Sequence, residues 1–222
     1  MSQYNDFIKT APLSADAAKT ATVERTGRRI ANATEAYLRE SGQADEIRNL
    51  QWDFKLVRDN QVNAFCMPGG KIVVYEGLLP LVASEDELAV VIGHEIAHAI
   101  AKHSNERMSQ QIMAQYGAAF VNMALSNKSE AIQNVGNTVF GLGAQVGVML
   151  PYSRMHEYEA DYIGMILMTM AGFDPAGALK FWEKMSANDG ASVPEILSTH
   201  PSDAGRISEI RRRLPEMDKF KR

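Results

Sequence analysis

The sequence predicts an α+β fold, mostly helical, with one small antiparallel sheet. Three observations carry this. Alternation of apolar and polar side chains is confined to residues 51–77, the segments on either side have helical spacing, and Pro68-Gly69-Gly70 supplies a turn between two of the alternating runs. With 222 residues and 45% hydrophobic content, the chain can bury one sizeable core, or a core plus a lobe.

Taken in order, Asp16 to about Glu40 is Ala-rich with apolar positions at Val23, Ile30, Tyr37 and Leu38, which predicts a long helix ending near Gly42. Residues 1–50 then form a helical arm packed on the domain built by 51–222. The runs "WDFKLV", "VNAFCMP" and "KIVVYEG" supply the strands. Beyond Gly77 the pattern is helical, with breaks near Ser104, Ser126 to Ser129, Pro151, Gly172 to Pro175, Gly190 to Pro194 and Pro201. No segment reaches the roughly 18 continuous apolar residues that span a bilayer. The nearest, "TVFGLGAQVGVML" at 138–150, is interrupted by Gln145. The opening "MSQYNDFIKT" has neither the charged nor the apolar region of a signal peptide.

A net charge of −4 argues against nucleic acid as the main partner. The basic stretch from Arg206 to Arg222 reads as a solvated helix end, with Arg211, Arg212 and Arg213 near the negative dipole terminus. Cys66 is the single cysteine, so no internal disulfide exists, and it reads as a small strand hydrophobe. The twelve methionines read as adaptable core filler, and "GLGAQVG" at 141–147 as small residues for helix packing, since its spacing is not that of a dinucleotide loop.

The chemistry lies in "VVIGHEIAHAIAKH" at 90–103. Ser84 with Glu87 forms a capping box, and Glu85, Asp86 and Glu87 suit the positive end of a helix that therefore contains His94 and His98 well inside it. Side chains four apart differ by about 40° around the axis, so both imidazoles leave one face and can grip one ion. Glu95, about 100° round from His94, can reach a water on that ion without ligating it. A match of five residues also arises by chance, so a third ligand decides the matter. His103 lies about 180° from His94 on an unbroken helix and reads as a histidine at the helix's C-terminal end. "SRMHEYEADYIGM" at 153–165 is the better source: Glu157 and Asp161 share a helix face, with Ala160 and Gly164 allowing close approach of a neighbouring helix. One of the two carboxylates can complete a site of two His and one acid, and the other can accept the outer N–H of a ligand histidine. The competing reading of this stretch is an acidic solvated face.

Four ordered motifs, "NAFCMPGGKIVVYEGLL", "GHEIAHAIAKH", "PYSRMHEYEAD" and "STHPSDAGRISEI", resemble the HtpX-like zinc metallopeptidases of metallopeptidase family 48, especially the soluble BepA/LoiP-type bacterial proteases, over roughly Asn63 to Ile210. The resemblance implies a gluzincin-type zincin with a short active-site sheet. It implies one Zn2+ per chain on His94, His98 and Glu157, with Glu95 as general base and Asp161 orienting a ligand. It further implies that Asn63 lies beside the substrate and that the Val62 to Met67 backbone accepts an extended peptide by strand addition. His200 either steadies the oxyanion or fills the fourth metal position, and Arg206 anchors its helix near the site or the substrate. The implied function is hydrolysis of misfolded or unassembled proteins in quality control, in the periplasm or at the outer membrane, with room for a lipid anchor upstream. A largely latent protease acting as a chaperone or assembly factor is the alternative.

Overall fold

The computed structural model describes residues 2–145, 150–187, 196–197, 200 and 204–222, excepting the side chains of 2 and 150–152. Eight helices are described, α1 (Ser2–Thr10), α2 (Ala17–Glu40), α3 (Glu85–Ile100), α4 (His103–Leu125), α5 (Glu130–Ala144), α6 (Leu150–Met170), α7 (Ala176–Ala187) and α8 (Ala204–Arg213), with three strands, β1 (Asp53–Val57), β2 (Ala64–Met67) and β3 (Lys71–Tyr75). The chain divides into two compact units, 1–101 with 158–222, and 102–157, the second boundary falling inside α6. The expected breaks at 190–194 and at Pro201 lie outside the described residues.

The α+β, mostly helical class holds, but the sheet is mixed where an antiparallel one was expected. Its order is β1-β3-β2. The Pro68-Gly69-Gly70 turn joins β2 to β3 antiparallel, with both glycines at positive φ (84° and 77°), a region open to glycine at no steric penalty. β1 instead pairs parallel with the other side of β3. The cause is the connection after β1. It crosses the end of β3 at Gly77, whose N–H donates to Asp59 O and where a Cβ would lie 2.2 Å from Asn60 O. Only glycine admits that crossing, which carries the chain over to β2 on the far side.

Local signals set the principal helices of the first unit. Asp16 caps α2 through Lys19 N, and Gly42 at φ 75° ends that helical region. α2 buries Val23, Ile30, Ala31 and Leu38, and at Gly27 it comes so near β1 that a Cβ would lie 2.2 Å from the Phe54 ring. α1 covers the opposite sheet face with Tyr4, Phe7 and Ile8, and Tyr4 donates to Asp53 at 2.7 Å. On β1's outer side Leu13 forms a bridge to Val57. Ser84 caps α3 and Glu87 reaches back to Ala83 N, while Lys184 pairs with the same buried carboxylate at 2.5 Å. Every α3 residue from Glu87 to Ala97 is buried, so this helix runs through the core. The basic C-terminal stretch is ion-paired: Arg211 to Glu183, Arg212 and Arg213 to Glu209, Lys219 to Glu216, Lys221 to Asp218 and Arg222 to Glu40.

The second unit is a helical hairpin of α4 and α5. Gly117 and Gly136 make the contact: a Cβ at Gly117 would lie 2.5 Å from Phe140, and one at Gly136 2.3 Å from Leu125. Asn137 Nδ2 donates to Asn122 Oδ1 at 2.6 Å. By contrast, Gly141 and Gly143 face open space, and the remainder of "GLGAQVG" from Val146 lies outside the described residues.

Candidate active site

α3 and α6 cross in backbone contact. A Cβ on Gly164 would lie 3.1 Å from His94 N, and one on Gly93 3.1 Å from Gly164 O. Small residues therefore allow the crossing, and Asp161, one turn before Gly164, meets His94 side on: His94 Nδ1 lies 2.9 Å from Asp161 Oδ1, both groups being buried. An ionised carboxylate only accepts, so Nδ1 carries the proton and the Nε2 lone pair points away from Asp161. Burial by itself would lift the Asp161 carboxyl. Arg206, through two hydrogen bonds of 2.5 and 2.8 Å, and His94 outweigh it and hold the group below the usual carboxylate range.

Around His94 Nε2 the other nitrogens converge, His98 Nε2 at 3.0 Å and His200 Nδ1 at 3.2 Å. His94, His98, Glu157 and His200 each offer one ligand atom within 4.8 Å of the rest. Glu157 comes from α6, one turn before Asp161, and is 3% exposed. Three imidazoles and a carboxylate, His94 and Glu157 buried and His98 and His200 half-buried, bring nitrogen and oxygen lone pairs together as a cation would need. The donor set of nitrogen and carboxylate oxygen fits zinc. Glu95, next to His94, has Oε1 buried without a hydrogen-bond partner among the described residues, with His200 Nε2 at 3.4 Å.

The remaining residues named from sequence fall as follows. Asn63 Oδ1 accepts from Ala64 N at 2.9 Å, at the entrance to β2. Arg206 is 1% exposed and faces inward, its guanidinium 3.6 Å above the Trp182 ring, with Nη1 donating to His200 O at 3.2 Å. Burial and then the nearby Glu95 push the Cys66 thiol up to about 12, so it stays protonated and lies outside the ligand cluster. His103, expected at the C-terminal end of α3, instead opens α4. Lys102 takes a left-handed conformation (φ 60°), which ends the α3 direction before the chain reaches His103. There it is buried and stacks on His156, ring centroids 4.3 Å apart, while His156 Nε2 lies 2.7 Å from Glu106. Trp182 escaped sequence reasoning. It supports Arg206 from below and meets the His94 ring edge-on at 5.7 Å, but a tryptophan in an apolar helix stripe gives no sign of what its ring will touch.

Over 175 residues the chain is 39% identical to mitochondrial metalloendopeptidase OMA1 of Schizosaccharomyces pombe, covering 77% of this chain and 49% of that protein. It is 29% identical over 217 residues to the beta-barrel assembly-enhancing protease of Yersinia pestis, covering 94% and 41%, and 30% identical over 171 residues to that of Escherichia coli, covering 74% and 34%. The chain thus spans about half or less of the length of these relatives. The model of peptidase family M48 matches residues 18–214, and with most of its length matched the chain belongs to that family.

Proposed function

We propose that this chain is a zinc-dependent endopeptidase that cuts misfolded or unassembled proteins. The observation that carries the reading is the cluster of His94, His98, Glu157 and His200, half of it buried and half partly exposed, with the Glu95 carboxylate beside it. His94, His98 and Glu157 hold one zinc. When bound, zinc supplies Lewis acidity, lowering the pKa of a water and polarising the scissile carbonyl. Glu95, beside His94 and with His200 Nε2 3.4 Å from its Oε1, takes the proton from the attacking water and hands it to the leaving amine. Asp161 holds the His94 ring and its tautomer, and Arg206 holds Asp161 and the His200 carbonyl, so Arg206 positions the site from beneath. An extended substrate adds along Val62 to Met67, with Asn63 shaping the entrance. The likeness to the beta-barrel assembly-enhancing proteases extends the proposal to quality control in the cell envelope. Metal analysis of the purified protein, joined to casein cleavage with and without a chelator, tests it. One zinc per chain and chelator-sensitive cleavage are expected; cleavage indifferent to metal removal would sink it.

A second reading is favoured by two contacts. His200 belongs to the ligand cluster, and Ile196, four residues before it, donates its N–H to Val62 O at 3.0 Å, using a group that the substrate strand would need. The segment carrying His200 then closes both the fourth metal position and the head of the strand, giving a largely latent protease that serves as chaperone or assembly factor. His200→Ala separates the roles. As a latch its loss raises basal casein cleavage; as an oxyanion donor its loss lowers turnover by on the order of 10² to 10³. Reduced cleavage with zinc retained would discard the latch.

A further inference from the structure

The α4–α5 hairpin takes no part in the chemistry above, and its surface is unusual. Residues 108–153 contain only two charged side chains, Lys128 and Glu130, both at the hairpin tip. No described α5 residue is buried, and in α4 only His103 is. On α4 the half-buried residues Gln110, Ala114, Gly117, Ala118, Val121 and Leu125 share one face. Met108, Ile112, Met113, Tyr116, Phe120 and Met123 lie roughly half a turn round the axis from them, at 46–74% exposure. α5 repeats the pattern, with Ile132, Val135, Val139 and Leu142 turned away from Gly136, Asn137 and Phe140. An apolar stripe on the outer side of a helix already packed on its inner side has no work to do in an isolated hairpin.

We propose that the outer stripe of α4 is a self-association surface, against which the α4 of a second copy packs antiparallel. Six large side chains, at roughly 150–250 Å² for each aromatic, present on the order of 800 Å², about what one partner contributes to a standard interface. The stripe carries no charge, so two copies meet without like-charge repulsion, and antiparallel pairing sets the positive end of one helix dipole beside the negative end of the other. Its spacing is self-complementary: with Tyr116 near the two-fold axis, Ile112 faces the partner's Phe120 and Met108 lies by the partner's Met123. A lipid surface fits less well. The sides of the stripe are Ser, Gln and Asn, without the Lys and Arg that interfacial helices turn to headgroups, and no described helix is long and apolar enough to cross a bilayer.

Sedimentation velocity on the metal-loaded chain from about 1 to 100 μM tests the proposal. A monomer–dimer equilibrium is expected, weakened about 100-fold or more by Phe120→Lys, which opposes charge and apolar side chain across the axis; an unchanged thermal melt confirms that this exposed position leaves the fold intact. Tyr116→Cys should cross-link two copies with a short bismaleimide, whereas Gln111→Cys, off the stripe, and the wild type, whose single Cys66 is half-buried in β2 of the other unit, should not. A monomer throughout the range overturns the proposal, as does a dimer indifferent to Phe120→Lys. Flotation of that monomer with phosphatidylglycerol vesicles, or its saturable binding to reduced and carboxymethylated α-lactalbumin, would overturn it in favour of lipid or an unfolded chain as occupant.

Discussion

Replacing Glu95 with Gln is expected to leave the metal in place and to lower proteolysis by on the order of 10² to 10⁴, the range that positioned general acid–base catalysis supplies. The substitution keeps the size of the side chain and removes its ability to accept a proton. Glu95 is 4% exposed, and its Oε1 has no hydrogen-bond partner among the described residues, so the change breaks none of the hydrogen bonds described at that oxygen. A thermal melt close to wild type should accompany the loss. The measurement is casein turnover beside zinc content on the same preparation. Normal zinc with normal turnover would remove Glu95 from the chemistry; lost zinc would make it a ligand and return the base to another group.

Glu157→Gln should act on the metal itself. A neutral amide oxygen is a much poorer zinc ligand than a carboxylate, so affinity should fall by more than the roughly 10- to 100-fold that follows loss of a group hydrogen-bonded to a ligand. Asp161→Asn gives that smaller loss for comparison, because Asp161 holds the His94 ring at 2.9 Å. Glu159→Gln, at an exposed position on the same helix, should change neither. Competition with a chelator of known affinity ranks the three variants. If Glu157→Gln keeps zinc while Asp161→Asn loses it, the two carboxylates exchange roles.

What could be read from the sequence was governed by the range of the interactions involved. The Asp16 and Ser84 caps, the Gly42 stop and the Pro68-Gly69-Gly70 turn act within a few residues, and each stands where its chemistry places it. The spacing of His94, Glu95 and His98 is likewise local helix geometry. Strand direction is not: alternation in "WDFKLV" says that one face is buried, and nothing in it tells a parallel neighbour from an antiparallel one. The parallel β1–β3 pairing depends on a crossing at Gly77 that involves Asp59 and Asn60, residues with no strand signal of their own. His103 was misplaced by assuming an unbroken helix, since a single left-handed Lys102 has no sequence signature. The His200 and Arg206 contacts join groups more than a hundred residues from His94, and there only resemblance to a family could point the way.

Nine of the described methionines fall into two chemical populations. Met165, Met168, Met170, Met185 and Met217 are at most 8% exposed and shielded within the core, whereas Met108, Met113, Met123 and Met155 are 61–74% exposed on the hairpin unit. Peroxide would therefore act first on the exposed group, turning flexible thioethers into polar, chiral sulfoxides while the core stays reduced. Three of the six stripe side chains on α4 are of this kind, so a few added oxygen atoms would convert a greasy surface into a wet one without touching the metal ligands. The oxidative history of a preparation, counted by intact mass, then becomes a variable of its association state, and sulfoxide reductases become the means of resetting it.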